Sequence, residues 1–274
     1  MAIIYRWYAT LVEAKATSRI TTSTPETELK RLIATASRRL ERECGGGGII
    51  RAFIPYIATK YYDYKHRWLL NLKDDLLDLT QLVNGDGSVW DSDDYFLYLR
   101  NEPPYRYIEP NRAKNPFDYG DTPQQAIQLT GKWGFCDRYE ASGDAIQDTG
   151  GIDADATALT VSDGTLFSVG RTLLVEDEQM FVLAITNHTL TIVRAQNGTT
   201  AVAHAKDTAI SIFRPPEDIA LACKILVSRW YQEEMAGWAE RTGVPGAGFP
   251  VTRAIPDVVK EMISPYVRYV GSVW

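Results

Sequence analysis

The sequence predicts an α+β protein. We expect a helical bundle with two or three main helices around one long helix, a β-strand region, and an inserted small all-β barrel or sandwich module. Three observations support this fold class. Apolar residues recur at three- and four-residue spacing between Pro215 and Arg241. Residues 49–140 are rich in tyrosine, tryptophan and other strand formers. Residues 141–214 hold five short strand patterns separated by tight turns.

The N-terminal part of the chain predicts two helices. Thr10-Leu-Val-Glu13 fits a capping box, which opens a short helix that ends near Lys15 or Ala16. Ser23 or Thr24 caps the second helix, and the glycine run 45–48 ends it. The apolar stripe of this second helix consists of Leu29, Leu32, Ile33, Ala36 and Leu40.

Three arginines lie on the opposite face of the second helix: Arg31, Arg38 and Arg42. They are either a solvated face or a basic strip for an acidic partner or for the phosphate backbone of DNA. The glycine run that follows is more typical of a flexible hinge than of a phosphate-binding loop, because no Lys-Ser/Thr pair comes after it and no helix opens after it. The pattern therefore leaves both interpretations of the arginines open.

Residues 49–140 predict the β region. Asn84-Gly-Asp-Gly87 follows an apolar run and is a strong hairpin signal, with 95–99 as the returning strand. The polar stretch 143–151 then predicts a linker, and the five strand patterns beyond it fall at 158–161, 172–175, 180–185, 189–193 and 209–213. These boundaries divide the chain into a core of residues 1–140 and 215–252, an inserted module of 141–214 and a C-terminal arm of 253–274.

The long helix opens with Pro215, Pro216, Glu217 and Asp218, which suit a helix N-terminus. Ile219, Cys223 and Leu226 form one apolar stripe, while other apolar residues lie on the far side. Such a helix needs cover on more than one side. We therefore predict an inter-subunit interface at Leu221, Ile225, Trp230 and Trp238.

Composition narrows the functional classes. The chain has 274 residues and a net charge of −6, which argues against nucleic-acid binding through an overall positive field. No apolar run reaches the ~20 residues that span a membrane. We expect no signal peptide and reduced cysteines, because the three cysteines lie far apart.

The sequence does not predict an enzyme. His66, His188 and His204 are widely separated and show no metal-ligand spacing, so we expect no metal and no cofactor. Asp74 and Asp75 are adjacent, and neighbouring strand residues point to opposite faces, which argues against a catalytic carboxylate pair.

Several short motifs, in a fixed order, resemble the head-to-tail adaptor (connector) family of tailed bacteriophages. They are Glu13-Ala-Lys15, the apolar stripe of the second helix with Glu41, Tyr61-Tyr62-Asp63, Trp68-Leu-Leu-Asn-Leu72, Val83-Asn-Gly-Asp-Gly87, Asp94-Tyr-Phe-Leu-Tyr98, Pro104-Tyr-Arg-Tyr107, Gly131-Lys-Trp-Gly134 and Pro216-Glu-Asp-Ile219. The resemblance covers roughly residues 10–140 and 215–270. No single motif is specific, and the ordered set carries the resemblance.

The resemblance implies a virion protein that assembles as a homo-oligomeric ring, a dodecamer, beneath the portal. Its implied partners are copies of itself, the portal protein, tail-side stopper or tail proteins, and the genomic DNA that passes non-specifically through the channel. It implies a location at the head–tail interface of the virion, and in the host cytoplasm during assembly. The inserted module departs from the minimal family pattern.

The C-terminal arm is the expected portal contact. The residues we predict for it are Val258, Val259, Met262, Ile263, Tyr266, Arg268, Tyr269 and Trp274. Apolar, aromatic and arginine side chains of this kind are favoured interface anchors. The alternative is that the arm folds back onto the chain's own β region.

A different function remains open for the inserted module. Exposed aromatic residues on a β face would suit a glycan- or host-binding phage module, with Phe167, Phe181 and Phe213 as candidates. The same residues would also suit the core of the module.

Overall fold

The computed structural model describes residues 5–19, 26–46, 49–235 and 255–268. Across these ranges the chain forms four α-helices and twelve β-strands. The helices are α1 (Leu11–Thr17), α2 (Glu26–Gly45), α3 (Glu217–Met235) and α4 (Asp257–Ile263).

The first sheet is antiparallel and has the strand order β1-β6-β2-β5-β4, with β3 paired to the end of β2. Its strands are β1 (Tyr56–Tyr62), β2 (Leu70–Val83), β3 (Val89–Trp90), β4 (Tyr95–Tyr98), β5 (Tyr105–Pro110) and β6 (Ile127–Trp133). In β6, which lies between β1 and β2, Ile127, Leu129 and Trp133 point inward and are buried. This alternation gives the sheet a hydrophobic core of its own.

The second sheet is also antiparallel, with the order β7-β12-β9-β10-β11-β8. Its strands are β7 (Tyr139–Ala145), β8 (Ala158–Thr160), β9 (Thr172–Val175), β10 (Glu178–Thr186), β11 (Thr189–Val193) and β12 (Ala209–Phe213). The amide of Gln147 donates to the carbonyl of Thr160 at 2.9 Å, which links the two ends of the strand order. The sheet therefore curls around a separate apolar core.

The helices form one layer around a third core. α3 lies against α1, α2 and α4, and the predicted apolar stripe of α2 is buried here throughout. The capping box at Thr10 and Glu13 is confirmed, with each side chain accepting from the backbone N–H of the other residue. Phe181 and Phe213 extend from the second sheet into this core, where Phe181 stacks on Tyr5 at 4.7 Å between ring centroids.

The predicted fold class, a helical bundle with an inserted β module, is wrong. The described part of the chain is mostly β, with two six-stranded antiparallel sheets and 26% helix. Residues 56–133 form a complete sheet with its own core instead of an addition to the helices. The predicted linker is also wrong at its start, because β7 continues through Gly143 to Ala145 and pairs with β12.

Candidate assembly surfaces

The predicted interface on α3 is covered mainly by the chain itself. Ile225 and Trp230 are half-buried and pack against the helical core. Leu221 is 40% exposed, and it is the one predicted interface residue on α3 that the structure leaves open in its described part. Trp238 lies outside the described residues. We expected the long helix, α3, to be covered on more than one side, and helices α1, α2 and α4 of the same chain all contact it.

The C-terminal arm packs on the chain's own core over its described part, Ile255–Arg268. Val259 and Ile263 of α4 are buried in the helical core, and Met262 is half-buried against it. Val258 faces outward and is 47% exposed. The described part of the arm therefore folds back onto its own chain, as in the alternative to the portal contact. It contacts the helices as well as the first sheet.

Tyr266 and Arg268 attach the end of the arm to the core. The Tyr266 ring lies edge-on to Phe53 and Phe135, and its hydroxyl donates to Asp218 at 3.2 Å. The amide of Arg268 donates to the carbonyl of Cys44 at 2.8 Å. Tyr269 and Trp274 lie outside the described residues.

A buried carboxylate completes this attachment. Asp75 accepts from Arg51 Nε at 2.6 Å and from Arg268 Nη1 at 3.4 Å. Arg51 also donates to the carbonyl of Tyr266, and its guanidinium lies 4.5 Å from the ring centroid of Phe135. We call Arg51, Asp75 and Arg268 the arm latch. Asp74 points elsewhere and pairs with Lys60 at 2.7 Å, as expected for adjacent strand residues.

The arginine row on α2 is largely matched by carboxylates of the same chain. Arg31 pairs with Glu28 and with Glu234 of α3, and Arg38 pairs with Glu41 at 2.8 Å. The exposed Arg42 donates to the carbonyl of Arg38 at 3.4 Å. These contacts reduce the positive field that a phosphate backbone would meet on this face.

Glu41 is also the centre of a buried polar cluster that joins three parts of the chain. Its carboxylate accepts from the Tyr8 hydroxyl at 2.6 Å, and that hydroxyl accepts from the Phe53 amide at 3.0 Å. Burial, with the charge of Glu41, raises the pKa of Tyr8 well above its ordinary value. The cluster fixes the N-terminal segment between α2 and the chain leading into β1.

The second sheet contains a polar cluster that sequence reasoning missed. Glu178 accepts two hydrogen bonds from Arg194, both at 2.7 Å, and one from His204 at 2.9 Å. Burial alone would raise the pKa of Glu178, but the hydrogen bonds from Arg194, the Ala195 amide and His204 lower it to about 2. Glu178 begins β10 and Arg194 directly follows β11, so the pairing of these two strands brings the two side chains together. His204 lies in a separate bridge with Ile152. These contacts depend on the pairing of distant segments, which local sequence patterns do not show.

The candidate aromatic residues of the second sheet do not form an exposed binding face. Phe167 lies in the core of the second sheet, while Phe181 and Phe213 lie in the helical core. All three are buried. None of them is accessible to a glycan in this structure.

None of the helices in the described part of the chain is long and apolar enough to cross a membrane. Within the same ranges, no three His, Cys, Asp or Glu side chains come together as a metal site. Cys44, Cys136 and Cys223 are free, and burial raises the pKa of the Cys44 and Cys223 thiols to about 12.

Comparison with solved structures finds a similarity to the neck of an empty gene transfer agent (GTA) particle, computed with C6 symmetry. The identity is 13%, the match covers 95% of this chain and 91% of that chain, and the TM-score is 0.39. A similarity at this TM-score does not by itself establish a shared fold. No protein-family model and no curated protein matches the chain.

Proposed function

We propose that this chain is a structural protein of a tailed-phage-like particle, a head-to-tail adaptor. In this proposal twelve copies form a ring beneath the portal, extend the channel through which DNA passes, and present a platform for tail-side proteins. The observation that carries the proposal is the ordered set of adaptor motifs, together with the positions that these motifs occupy in the structure.

The motif Gly131-Lys-Trp-Gly134 lies at the end of β6, between β1 and β2 of the first sheet. Trp133 is fully buried, and its indole N–H donates to the carbonyl of Ala58 at 2.9 Å. Gly131 is required because a Cβ there would overlap the carbonyl oxygen of Asp78 on the neighbouring strand. Trp133 and Gly131 are therefore needed for the packing of this sheet. Because they belong to the ordered set of adaptor motifs, they support the proposal that this chain shares the architecture of the adaptor family.

The motif Pro216-Glu-Asp-Ile219 opens α3. Glu217 and Asp218 lie in the first turn, where the helix dipole favours negative charge, and Ile219 is buried in the helical core. This motif begins the helix on which α1, α2 and α4 converge. Because this motif also belongs to the ordered set of adaptor motifs, it supports the proposal that the helical layer of this chain resembles that of the adaptor family.

Exposed apolar residues on the helices supply candidate contacts between neighbouring copies. Val12 on α1 is 64% exposed, and Leu221 on α3 and Val258 on α4 are also exposed. Single exposed apolar residues are common on soluble proteins. Their presence on three helices of one layer suits a heterologous interface, in which two different surfaces of neighbouring copies meet and close a ring.

The portal contact is proposed for the outward side of the C-terminal arm. Val259 and Ile263 belong to the chain's own core, so they can reach a portal only if the arm is released. Val258 needs no such release. Tyr269 and Trp274 remain part of the proposal as side chains beyond the described arm.

Counting copies tests the ring. The purified protein is mixed with the portal of the same particle, and the complex is measured by mass photometry and imaged by electron microscopy. We expect about twelve copies in a closed ring on each portal. One or two copies per portal would rule out the adaptor proposal.

Point variants test the portal contact, because deleting 253–274 would also remove Val259 and Ile263 from the core. Val258→Asp and a truncation after Arg268 should each reduce co-purification with the portal while circular dichroism stays unchanged. Leu166→Asp is the matched control, since Leu166, in the turn between β8 and β9, is 46% exposed against 47% for Val258. Portal binding that is unchanged in both variants would place the contact elsewhere.

A further inference from the structure

A groove between the N-terminal segment and α2 has a cationic lining. Its volume is about 310 Å³, and the cations that line it are Arg6, Lys30, Arg31 and Arg38. Among the described residues that line the groove there is no Asp or Glu. The volume lies at the lower end of the range for ligand pockets, so the groove suits one or two side chains of a partner.

Arg6 is the least satisfied of these cations. Its side chain is 14% exposed, yet it donates no hydrogen bond to any described residue, and its Nε is buried without a partner. Its guanidinium lies 5.2 Å from the ring centroid of Tyr56. Buried donors without an acceptor are rare because they are costly, and an acceptor from another molecule would remove this cost.

Two guanidinium groups share one buried carboxylate next to this groove. Arg38 Nη1 lies 2.8 Å from a carboxylate oxygen of Glu41, and Arg6 Nη1 lies 3.6 Å from the other oxygen. Lys30 lies 4.0 Å from Glu26, whose side chain is exposed. One carboxylate does not balance both guanidinium groups, so a further anion close to them would be stabilised.

The apolar part of the lining is aromatic and fixed in position. Tyr5 and Trp7 line the groove. Tyr5 stacks on Phe181 with 4.7 Å between ring centroids, and Trp7 lies edge-on to the same ring at 5.0 Å. The Tyr5 amide donates to Gln196 at 3.0 Å, which ties this segment to the second sheet. A preformed apolar surface beside cations suits an occupant with both an apolar side chain and a negative charge.

A polypeptide matches this combination better than DNA does. Arginine binds carboxylate and phosphate alike, but only a polypeptide places an apolar side chain next to its carboxylate. DNA is held by rows of cations along an open surface, whereas Arg31 and Arg38 already pair with carboxylates of this chain. The adjoining stretches 1–4 and 20–25 contain no Asp or Glu, so they do not supply the anion.

We propose that this groove binds an acidic segment of a partner protein. An Asp or Glu carboxylate of that segment accepts hydrogen bonds from Arg6 and lies close to Lys30. A neighbouring leucine or aromatic side chain of the segment rests on Tyr5 and Trp7. The site does not require the proposed ring, so its failure would leave the adaptor proposal standing.

Two short peptides of the same shape test the site. The probe is the acetylated and amidated tripeptide Glu-Phe-Asp, and its neutral counterpart is Gln-Phe-Asn. Each is titrated into the full-length protein while the indole N–H signal of Trp7 is followed by NMR. The acidic peptide should bind at least about tenfold more tightly, because the neutral peptide cannot form charge-assisted hydrogen bonds with Arg6.

Two variants and a control locate the binding. Arg6→Met and Lys30→Met should each weaken binding of the acidic peptide. Arg42→Met should bind like the wild type, because Arg42 is exposed on the same helix and does not line the groove. Circular dichroism shows whether Arg6→Met is folded. Lys30→Met decides the matter if it is not, since the Lys30 side chain is 32% exposed and its replacement leaves the core intact.

Four results would overturn the proposal. Equal affinity for the two peptides, or unchanged affinity in both variants, would refute the site. Inorganic phosphate that binds as tightly as the acidic peptide would show a simple anion site. A short DNA duplex that displaces the peptide would show a nucleic-acid site. Tighter peptide binding by Glu240→Gln would show that the chain's own Glu240, which follows α3, occupies the groove.

Discussion

Replacing Asp75 by asparagine tests whether the arm latch holds the C-terminal arm on the core. The side chains of Asp75 and Arg51 are 3% and 4% exposed, and that of Arg268 is 11% exposed. Asn has nearly the same volume as Asp, so Asp75→Asn removes the charge without opening a cavity. Two buried guanidinium groups then lose their common counter-charge.

The expected cost is about 3–5 kcal/mol, the range for breaking a buried ion pair from one side. For a protein of this size, each kcal/mol lowers the melting temperature by roughly 2–4 °C, so we expect a fall of about 6–20 °C. Asp137→Asn is the control, because Asp137 pairs with Lys132 at 2.8 Å with both side chains more than one-third exposed. A pair at the surface contributes about 0–1 kcal/mol.

The measurement is thermal unfolding combined with hydrogen exchange of the arm. In Asp75→Asn the Arg268 amide, which donates to the carbonyl of Cys44, should lose its protection before the sheets unfold. The reasoning is refuted if Asp75→Asn and Asp137→Asn change stability equally. It is also refuted if the arm keeps its protection in Asp75→Asn.

Three further predictions concern the two sheets. The pKa of Glu178 is about 2 in the folded protein, below its unfolded value, so the stabilisation by this carboxylate is present above about pH 4.5 and is lost as the pH falls toward 2. The melting temperature of Glu178→Gln should therefore fall less steeply than that of the wild type between pH 7 and pH 2. Equal slopes of melting temperature against pH would contradict this role of Glu178. Gly131→Ala should destabilise by about 1–3 kcal/mol through overlap with Asp78, whereas Gly150→Ala, in open space, should be neutral in chemical denaturation. A fragment of residues 139–214 should unfold cooperatively on heating, because the second sheet has its own apolar core and its first and last strands, β7 and β12, pair with each other. An NMR spectrum typical of a disordered chain would exclude independent folding of this fragment.

Local signals in the sequence predicted many elements well. The capping box, the α2 stripe and the strands 172–175, 189–193 and 209–213 are confirmed. These elements depend on residues close in sequence, such as a cap three residues from its partner or an alternation within one strand. The hairpin after Val83 is also confirmed, but its returning strand is β3, while 95–98 pairs with β5.

The prediction of a helical bundle was wrong because hydrophobic periodicity indicates each helix or strand separately and does not show which elements pack or pair with one another. The patterns at 215–241 and 26–45 are long and regular. In the first sheet every strand but β2 has at most 7 residues, and the 14-residue β2 is interrupted by bulges. Strand pairing between distant segments decides that these strands form one sheet. The alternation within any single strand does not reveal it.

The sequence alone determined where most helices and strands lie, and its ordered motifs are the basis of the proposed adaptor function. Tertiary structure alone decided which polar residues meet. Asp75, Arg51 and Arg268 come from three distant segments, as do Tyr8, Glu41 and Phe53. Their contacts arise because the buried charge of Asp75 and the buried polar groups around Glu41 need partners, and the packing of the sheets and helices decides which distant residues can supply them.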